Sequence, residues 1–395
     1  MPADTTGIWL IGARGSVATT TLIGAAAVAR GLAPPTGLVT ELPLFAGAGL
    51  PPLENLVFGG HDSVTRPLTE RAVALADGGV IPHELPEALS DHLEAIERNV
   101  CVGISLHDLS RPPLELIRQV QADIDGFRRR TGVGRVIVVN VSSTEAPPPP
   151  DPAHERLDAL ELALEEGRAV LTPTALYAYA ALDAGHPFVD FTPSLGNRLP
   201  VLFSLAQARG VPYAGSDGKT GETLMKTAIA PAFAARALRV RSWSGTNLLG
   251  GGDGATLADP YAAASKLESK LACLEAILGY PVEGPVTIEN VPDLGEWKTA
   301  WDNISFEGFL GTRMRMQFTW EGCDSALAAP LVLDLARLMA RAHAAGESGP
   351  LAPLAFFFKS PVATDEHRLE AQFALLADWV TRLPAAKGTA VKGAA

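Results

Sequence analysis

From residue 7 to about residue 220, short apolar runs alternate with longer stretches in which apolar residues recur at helical spacing. Gly7-Ile-Trp-Leu-Ile11 and Arg135-Val-Ile-Val-Val-Asn140 show no polar alternation, the pattern of strands covered on both faces. Gly37-Leu-Val-Thr-Glu41 predicts a second strand, and Phe188-Val-Asp-Phe191 and Tyr213-Ala-Gly215 predict two more. Helical spacing over 85–99, 113–130, 154–167, 174–182 and 200–209 separates these runs, and a small-residue helix follows Gly15. Strands alternating with helices predict an open, mostly parallel α/β sheet. Pro147 to Pro150 reads as a polyproline excursion on the surface.

The texture changes after residue 220. Ala237 to Trp243 and Met314 to Trp320 alternate as antiparallel strands do. A glycine-rich loop (Gly250 to Gly254) and a helix over 259–278 lie between them, so an inserted α+β unit is expected. Helices are predicted over 326–345 and 369–383, and the last dozen residues, rich in Ala, Gly and Lys, are expected to be disordered.

Composition narrows the class. With 47% hydrophobic and 19% charged residues, the chain of 395 residues has enough apolar surface for two cores and is not a disordered protein. Its net charge of -12, with no dense basic run, argues against nucleic acid or an anionic membrane as partner. No apolar stretch reaches the length of a membrane span. Cys101, Cys273 and Cys323 are scattered, and no basic segment precedes the first apolar run, so the expectation is a soluble cytoplasmic protein. The cations are unevenly distributed. There are 8 lysines against 24 arginines, and none of the lysines precedes Lys219. Lysine, unlike arginine, gives up its proton readily when buried.

Gly12-Ala-Arg-Gly15-Ser-Val-Ala18 falls between a strand and a helix, where a dinucleotide pyrophosphate meets backbone N–H groups. Arg14 takes the place of the motif's second glycine, and a tight turn without a ligand is the plainer alternative. Glu41 is a weak candidate for the ribose-binding acid. Small polar strand ends at Asn140 to Thr144, Thr192 to Ser194 and Ser216 to Thr220 favour a ligand crevice, although Ser and Thr also cap helices. Lys266 and Lys270, four apart on a predicted helix, share a face, as a phosphate cradle requires and as a solvated basic stripe also would. Lys298, between two tryptophans, and Lys359, after three phenylalanines, suit proton transfer or carbonyl polarisation, or snorkel to the surface. Asp324 opens an apolar helix and Asp253 sits in the glycine loop; capping and turn formation are their plainer roles. The histidines have no zinc-site spacing.

Together these segments resemble the myo-inositol-1-phosphate synthase (inositol-3-phosphate synthase) family, its archaeal-type branch in particular. The resemblance runs through Trp9-Leu-Ile-Gly-Ala-x-Gly15, Phe58-Gly-Gly-His61, Val139-Asn-Val-x-Ser-Thr-Glu145, Phe191-Thr-Pro-Ser194, Asp217-Gly-Lys-Thr-Gly-Glu-Thr223, Asp324 to Asp334 and Phe356-Phe-Phe-Lys-Ser-Pro361. It implies a doubly wound, Rossmann-like NAD-binding domain (1–218 plus 335–395) carrying an inserted α+β catalytic and tetramerisation domain (219–334). It implies NAD as cofactor, with a divalent or monovalent cation left open, a hexose phosphate as substrate and a homotetramer. Within the family, glucose 6-phosphate is oxidised at C5, loses its C6 proton, closes by an aldol step onto C1 and is reduced again. Lys266, Lys270, Lys298, Lys359, Asp253 and Asp324 align with the catalytic residues, and Asn247, Lys266 and Lys270 with the substrate-binding ones. The cofactor set is Gly12, Ala13, Arg14, Gly15, Ser16, Val17, Asn140, Ser142, Ser143, Thr144, Thr192, Asp217, Gly218, Lys219 and Thr220. The chain departs from the family at Gly245-Thr-Asn247 and in the glycine-rich turn after it, so fructose 6-phosphate closing to a five-membered ring, or a simple sugar-phosphate dehydrogenase, stands as the alternative.

Overall fold

The computed structural model describes residues 5–250 and 273–384. Asp253, Lys266, Lys270, most of the helix expected over 259–278 and all but one of the final dozen residues lie outside them. Seven strands form one sheet in the order Gly349–Pro350, β6 (Pro212–Gly215), β5 (Phe188–Asp190), β4 (Arg135–Asn140), β1 (Thr6–Ile11), β2 (Leu56–Asp62) and β3 (Val100–Val102). Every pairing is parallel. The chain moves outward from β1 to β3, then returns to lay β4 against the other side of β1. The order therefore reverses between β1 and β4, which is where such sheets open a ligand crevice.

Alternation along the strands divides the core into two layers. Ile8 and Leu10 of β1 and Ile137 and Val139 of β4 face α1 (Ser16–Ala29) and a long helix that begins at Asp324. Trp9 and Ile11, with Val136 and Val138, face the opposite layer. That layer contains α5 (Pro113–Thr131), α7 (Pro173–Asp183) and α8 (Pro200–Ala208). A period of two in a strand makes this division automatic.

Among the described residues the second sheet has four strands, in the order β10 (Arg313–Cys323), β9 (Trp297–Glu307), β7 (Arg239–Leu249) and β8 (Val286–Asn290). β9 pairs antiparallel with both neighbours. α9 (Gly221–Ala235) leads into this sheet, and Phe233 of α9 packs on Trp243 and Ile304. α10 (Asp324–Ala345) leads back to the first sheet.

One expectation is corrected. Residues 37–41 form no strand; Val39–Glu41 is a turn of 3-10 helix. The second strand lies at Leu56–Asp62. Its pattern was obscured because Gly59 and Gly60 interrupt the apolar run. Gly60 is required there, since a Cβ would lie 2.2 Å from the Leu10 carbonyl oxygen and 2.8 Å from the Ala13 Cβ. Glu41 does not reach the crevice and instead accepts from Arg337 Nη1 of α10 at 2.6 Å.

Gly60→Ala should therefore destabilise the protein by about 1–3 kcal/mol, the usual cost of overpacking a tight contact. Gly24→Ala, at a helix position open to space, should be neutral or slightly stabilising. Urea titration of both variants is the check.

Candidate active site

The β1–α1 turn is built to approach an anion. Gly12 has φ +85° and stands so close to β4 that a Cβ would lie 2.9 Å from the Ser142 Cα. The His61 carbonyl accepts the Gly12 and Ala13 N–H groups at 2.9 and 3.1 Å. Gly15 caps α1 without a side chain, so the first-turn N–H groups at Ser16 and Val17 stay open to a ligand. Arg14 is tolerated at the second-glycine position because its guanidinium turns away, Nε donating to Glu97 Oε1 at 2.9 Å and Nη1 to the Val64 carbonyl at 2.8 Å. Its backbone N–H donates to Asp62 Oδ2 at 2.7 Å. Asp62 ends β2 and lines the cleft, at the strand-end position where folds of this kind carry an acid near the ribose. Sequence reasoning missed it because the second strand had been assigned too early in the chain.

A cleft of about 850 Å³ opens over this turn. Gly12, Arg14, Gly15, Ser16, Val17 and Asp62 line one side, and Ser142, Ser143 and Thr144 line the strand end beyond β4. Leu249, Gly250, Lys298 and Asp324 bring the second sheet to its other wall. The glycine cradle, the uncapped helix and the strand-end acid all fit a dinucleotide.

Several expected cofactor residues lie beneath the cleft rather than on it. Ala13, Asn140 and Thr192 are buried. Asn140 Nδ2 and Thr192 Oγ1 both donate to Asp190 Oδ1, which also accepts from Asn197 Nδ2 at 3.1 Å. Burial pushes the Asp190 carboxyl up to about 7 despite the hydrogen bonds from Asn197, Thr192 and Asn140. Asn140 also orients Ser142 through a 2.7 Å bond from the serine hydroxyl, so the network holds the rim from below. Lys219 points away from the cleft, with Nζ donating to Gln372 Oε1. Burial lowers its amine to about 7.

Two lysine–carboxylate pairs stand where the sheets meet. Residues 357–362 zip onto the strand end at 215–219, with Lys219 N donating to Phe357 O (2.8 Å) and Lys359 N to Asp217 O (2.7 Å). Gly218 bridges Phe358. This brings the Lys359 Nζ to 2.8 Å from Asp217 Oδ1. From β9, Lys298 Nζ pairs with Asp324 Oδ1, which also accepts from Thr220 Oγ1 at 2.7 Å. Burial alone would raise the Asp324 carboxyl; Lys298, then Lys359 and Thr220, hold it well below the usual carboxylate range. A third of its side chain remains open to the cleft. Behind the pair the interior stays polar. Glu222 and Lys226 of α9 form a fully buried ion pair (2.6 Å), and Asp302 of β9 accepts from Trp243 Nε1 at 2.6 Å. Asn247 is buried on β7, its Nδ2 donating to the Thr287 carbonyl at 3.4 Å.

His61, Cys101 and Asp123 also cluster, their ligand-capable atoms within 4.8 Å. The Trp9 indole donates to His61 Nδ1 at 2.9 Å, which leaves the ring proton on Nε2, facing Asp123 at 3.0 Å. Burial, then Asp123, pushes the Cys101 thiol up. That donor arrangement makes a strut beneath the His61 carbonyl, not a thiolate-and-imidazole ligand set.

The order of the strands and the cleft at their switch point define a dinucleotide-binding α/β protein in which a second sheet walls the cleft and brings Lys298 to it. Residues 6–381 match the family described as Myo-inositol-1-phosphate synthase, and the chain belongs to that family. The family binds NAD and converts glucose 6-phosphate to inositol phosphate. Inositol-3-phosphate synthase 1 of Bacteroides thetaiotaomicron is 34% identical over 393 residues, covering 92% of this chain and 91% of its own. The Bos taurus protein of the same name is 30% identical over 346 residues, covering 78% of this chain; this chain spans 60% of its length. Inositol-3-phosphate synthase from Caenorhabditis elegans shares the fold with TM-score 0.86 at 22% identity, over 96% of this chain and 86% of that one. A myo-inositol-1-phosphate synthase-related protein from Thermotoga maritima does so with TM-score 0.77 at 22% identity, over 95% and 98%. Among the described residues no helix is long and apolar enough to cross a membrane.

Asp190 yields a pH prediction. Its folded value, about 7, lies above the unfolded value of about 3.9. The stability it contributes is full below about pH 4 and is lost as pH rises through about 7. Asp190→Asn should flatten the decline in urea stability between about pH 4 and 7; an unchanged slope would show that another group controls it.

Proposed function

We propose that this chain closes glucose 6-phosphate to inositol 3-phosphate (also numbered inositol 1-phosphate), with Lys298 and Lys359 as the reacting-site cations. The pairing of Lys298 with Asp324 at the wall of the dinucleotide cleft carries the reading. When bound, NAD supplies reversible hydride transfer, so a sugar alcohol becomes a ketone and is later restored. The chain's own residues do the rest. Asp324, ionised by its cationic neighbours, anchors the Lys298 ammonium, which stabilises the oxygen charge that develops during enolisation and ring closure. Lys359, positioned by Asp217, takes up in its neutral amine form the proton removed next to the ketone. Lys266, Lys270, Asp253 and Asn247 are proposed for the phosphate and the sugar hydroxyls. The second sheet, within 219–334, is proposed as the catalytic and oligomerisation unit on an NAD-binding frame of 1–218 and 335–395.

Product analysis tests the reading. Incubation with NAD and glucose 6-phosphate should give an inositol phosphate without net NADH release, whereas a five-membered cyclitol from fructose 6-phosphate, or stoichiometric NADH, would overturn it. The same assay with a chelator reads any cation dependence. Lys298→Ala and Lys359→Ala should each lower turnover about 10²–10³-fold, with circular dichroism unchanged. Arginine should rescue neither, because a guanidinium is larger and does not exchange its proton near neutral pH.

The second sheet also supports a homotetramer. Among the described residues β10 is an edge strand, and Met314 and Met316 are exposed on it. At the hairpin tip Phe309 and Leu310 are each 87% exposed. An apolar edge of this kind needs cover. Sedimentation should give a tetramer that Phe309→Asp/Leu310→Asp shifts to smaller species; a wild-type monomer at micromolar concentration would contradict it.

A further inference from the structure

Arg71 stands where the two sheets meet above the glycine turn. It lies on α2 (Leu68–Asp77), and its Nη2 donates both to Ser16 Oγ, on the first residue of α1, and to Glu296 Oε1 at 2.8 Å. Both charged side chains are about four-fifths buried. Glu296 comes from the other sheet's side of the cleft, two residues before Lys298. Its neighbour Trp297 fastens the same junction by donating from Nε1 to the Gly78 carbonyl, just beyond α2, at 2.9 Å. Arg71, Ser16 and Glu296 all line the cleft. Among the described residues, Arg71 Nε and Nη1 donate to no protein acceptor, which leaves three N–H groups for a ligand. The other arginine of the turn is unavailable: the Arg14 guanidinium is occupied by Glu97 and the Val64 carbonyl.

We propose that Arg71 is a ligand of the dinucleotide pyrophosphate, set in place by Glu296, so that the second sheet completes the cofactor site. The proposal rests on the NAD reading. The uncapped N-terminus of α1 and the guanidinium on Ser16 converge on one anion, the helix with backbone N–H groups and the arginine with a planar fork. Glu296 fixes the fork through Nη2 and offsets its charge before the phosphates arrive. Because Glu296 directly precedes the strand that carries Lys298, holding the pyrophosphate and setting the reactive lysine become coupled.

Isothermal titration of the full-length protein with ADP-ribose and with adenosine tests this, since neither ligand turns over and only the first carries the pyrophosphate. Arg71→Ala should weaken ADP-ribose binding about 10–100-fold and leave adenosine within about twofold, with Arg71→Lys recovering part of the loss. Glu296→Gln should cost ADP-ribose a smaller factor, and none in the Arg71→Ala background, because its effect passes through the arginine. Wild-type ADP-ribose affinity in Arg71→Ala, or an equal loss for adenosine, would overturn the assignment. A wild-type protein that binds no ADP-ribose would remove the NAD reading itself.

Discussion

The carboxylate of Asp324 is the joint on which the site turns. It directly follows the last residue of the outer strand of one sheet and begins the helix that packs beneath the other. It accepts from Lys298 of β9 and from Thr220 at the cap of α9, and Lys359 lies close enough to help keep it ionised. Four segments far apart in sequence are thus tied to one carboxylate. Removing it would leave a lysine without its counter-charge and a helix cap without its acceptor at the same place, a far larger loss than that of an exposed surface pair.

Charges buried this deeply do not serve stability first. Taking Lys226, Glu222 and Asp302 out of water is costly, and well-packed apolar residues of similar volume would often be more stable. What such a site gains is preorganisation: cations and carboxylates already oriented where charge develops, with little water left to rearrange. The scarcity of lysine follows the same logic. Arginine supplies the surface pairs at Arg156–Asp158 and Arg209–Asp183, where only charge matters. Lysine occurs at 298 and 359, where a compact amine fits a narrow space. A Cβ on Gly221 would already lie 2.8 Å from the Lys298 Nζ.

Much of this was legible in the chain. Uninterrupted apolar runs marked β1 and β4, and the strand–helix alternation led to the parallel sheet. The second strand was not legible, because close packing on β1 requires glycines exactly where an apolar run would have signalled it; Asp62 was lost with it. β8 and β9 were also missed, since β9 carries Lys298 and Asp302 on its buried side and so does not look apolar. Among the site residues, Lys298 and Lys359 stood out as lysines in apolar surroundings, and the structure gives each a carboxylate partner. Asn140 and Thr192 looked like crevice residues because strand ends are polar. Which polar groups face the ligand and which support it depends on Asp190, a contact between strands that no local pattern encodes.

Arg71 and Glu296 show why the cofactor turn cannot be read in isolation. A dinucleotide motif is local in sequence, and here its glycines and helix start are contiguous. Its positive charge is not. The arginine inside the motif is drawn off by Glu97, and the one that reaches the helix start comes from α2, oriented by a glutamate more than two hundred residues later. A strand order that reverses between β1 and β4 opens the crevice, but a crevice has only one wall. The second sheet supplies the other, and it carries Lys298 on the strand that directly follows Glu296, the residue that grips the arginine. The two walls are therefore joined by the topology itself: the element that meets α2 and the start of α1 across the cleft is the element that presents Lys298.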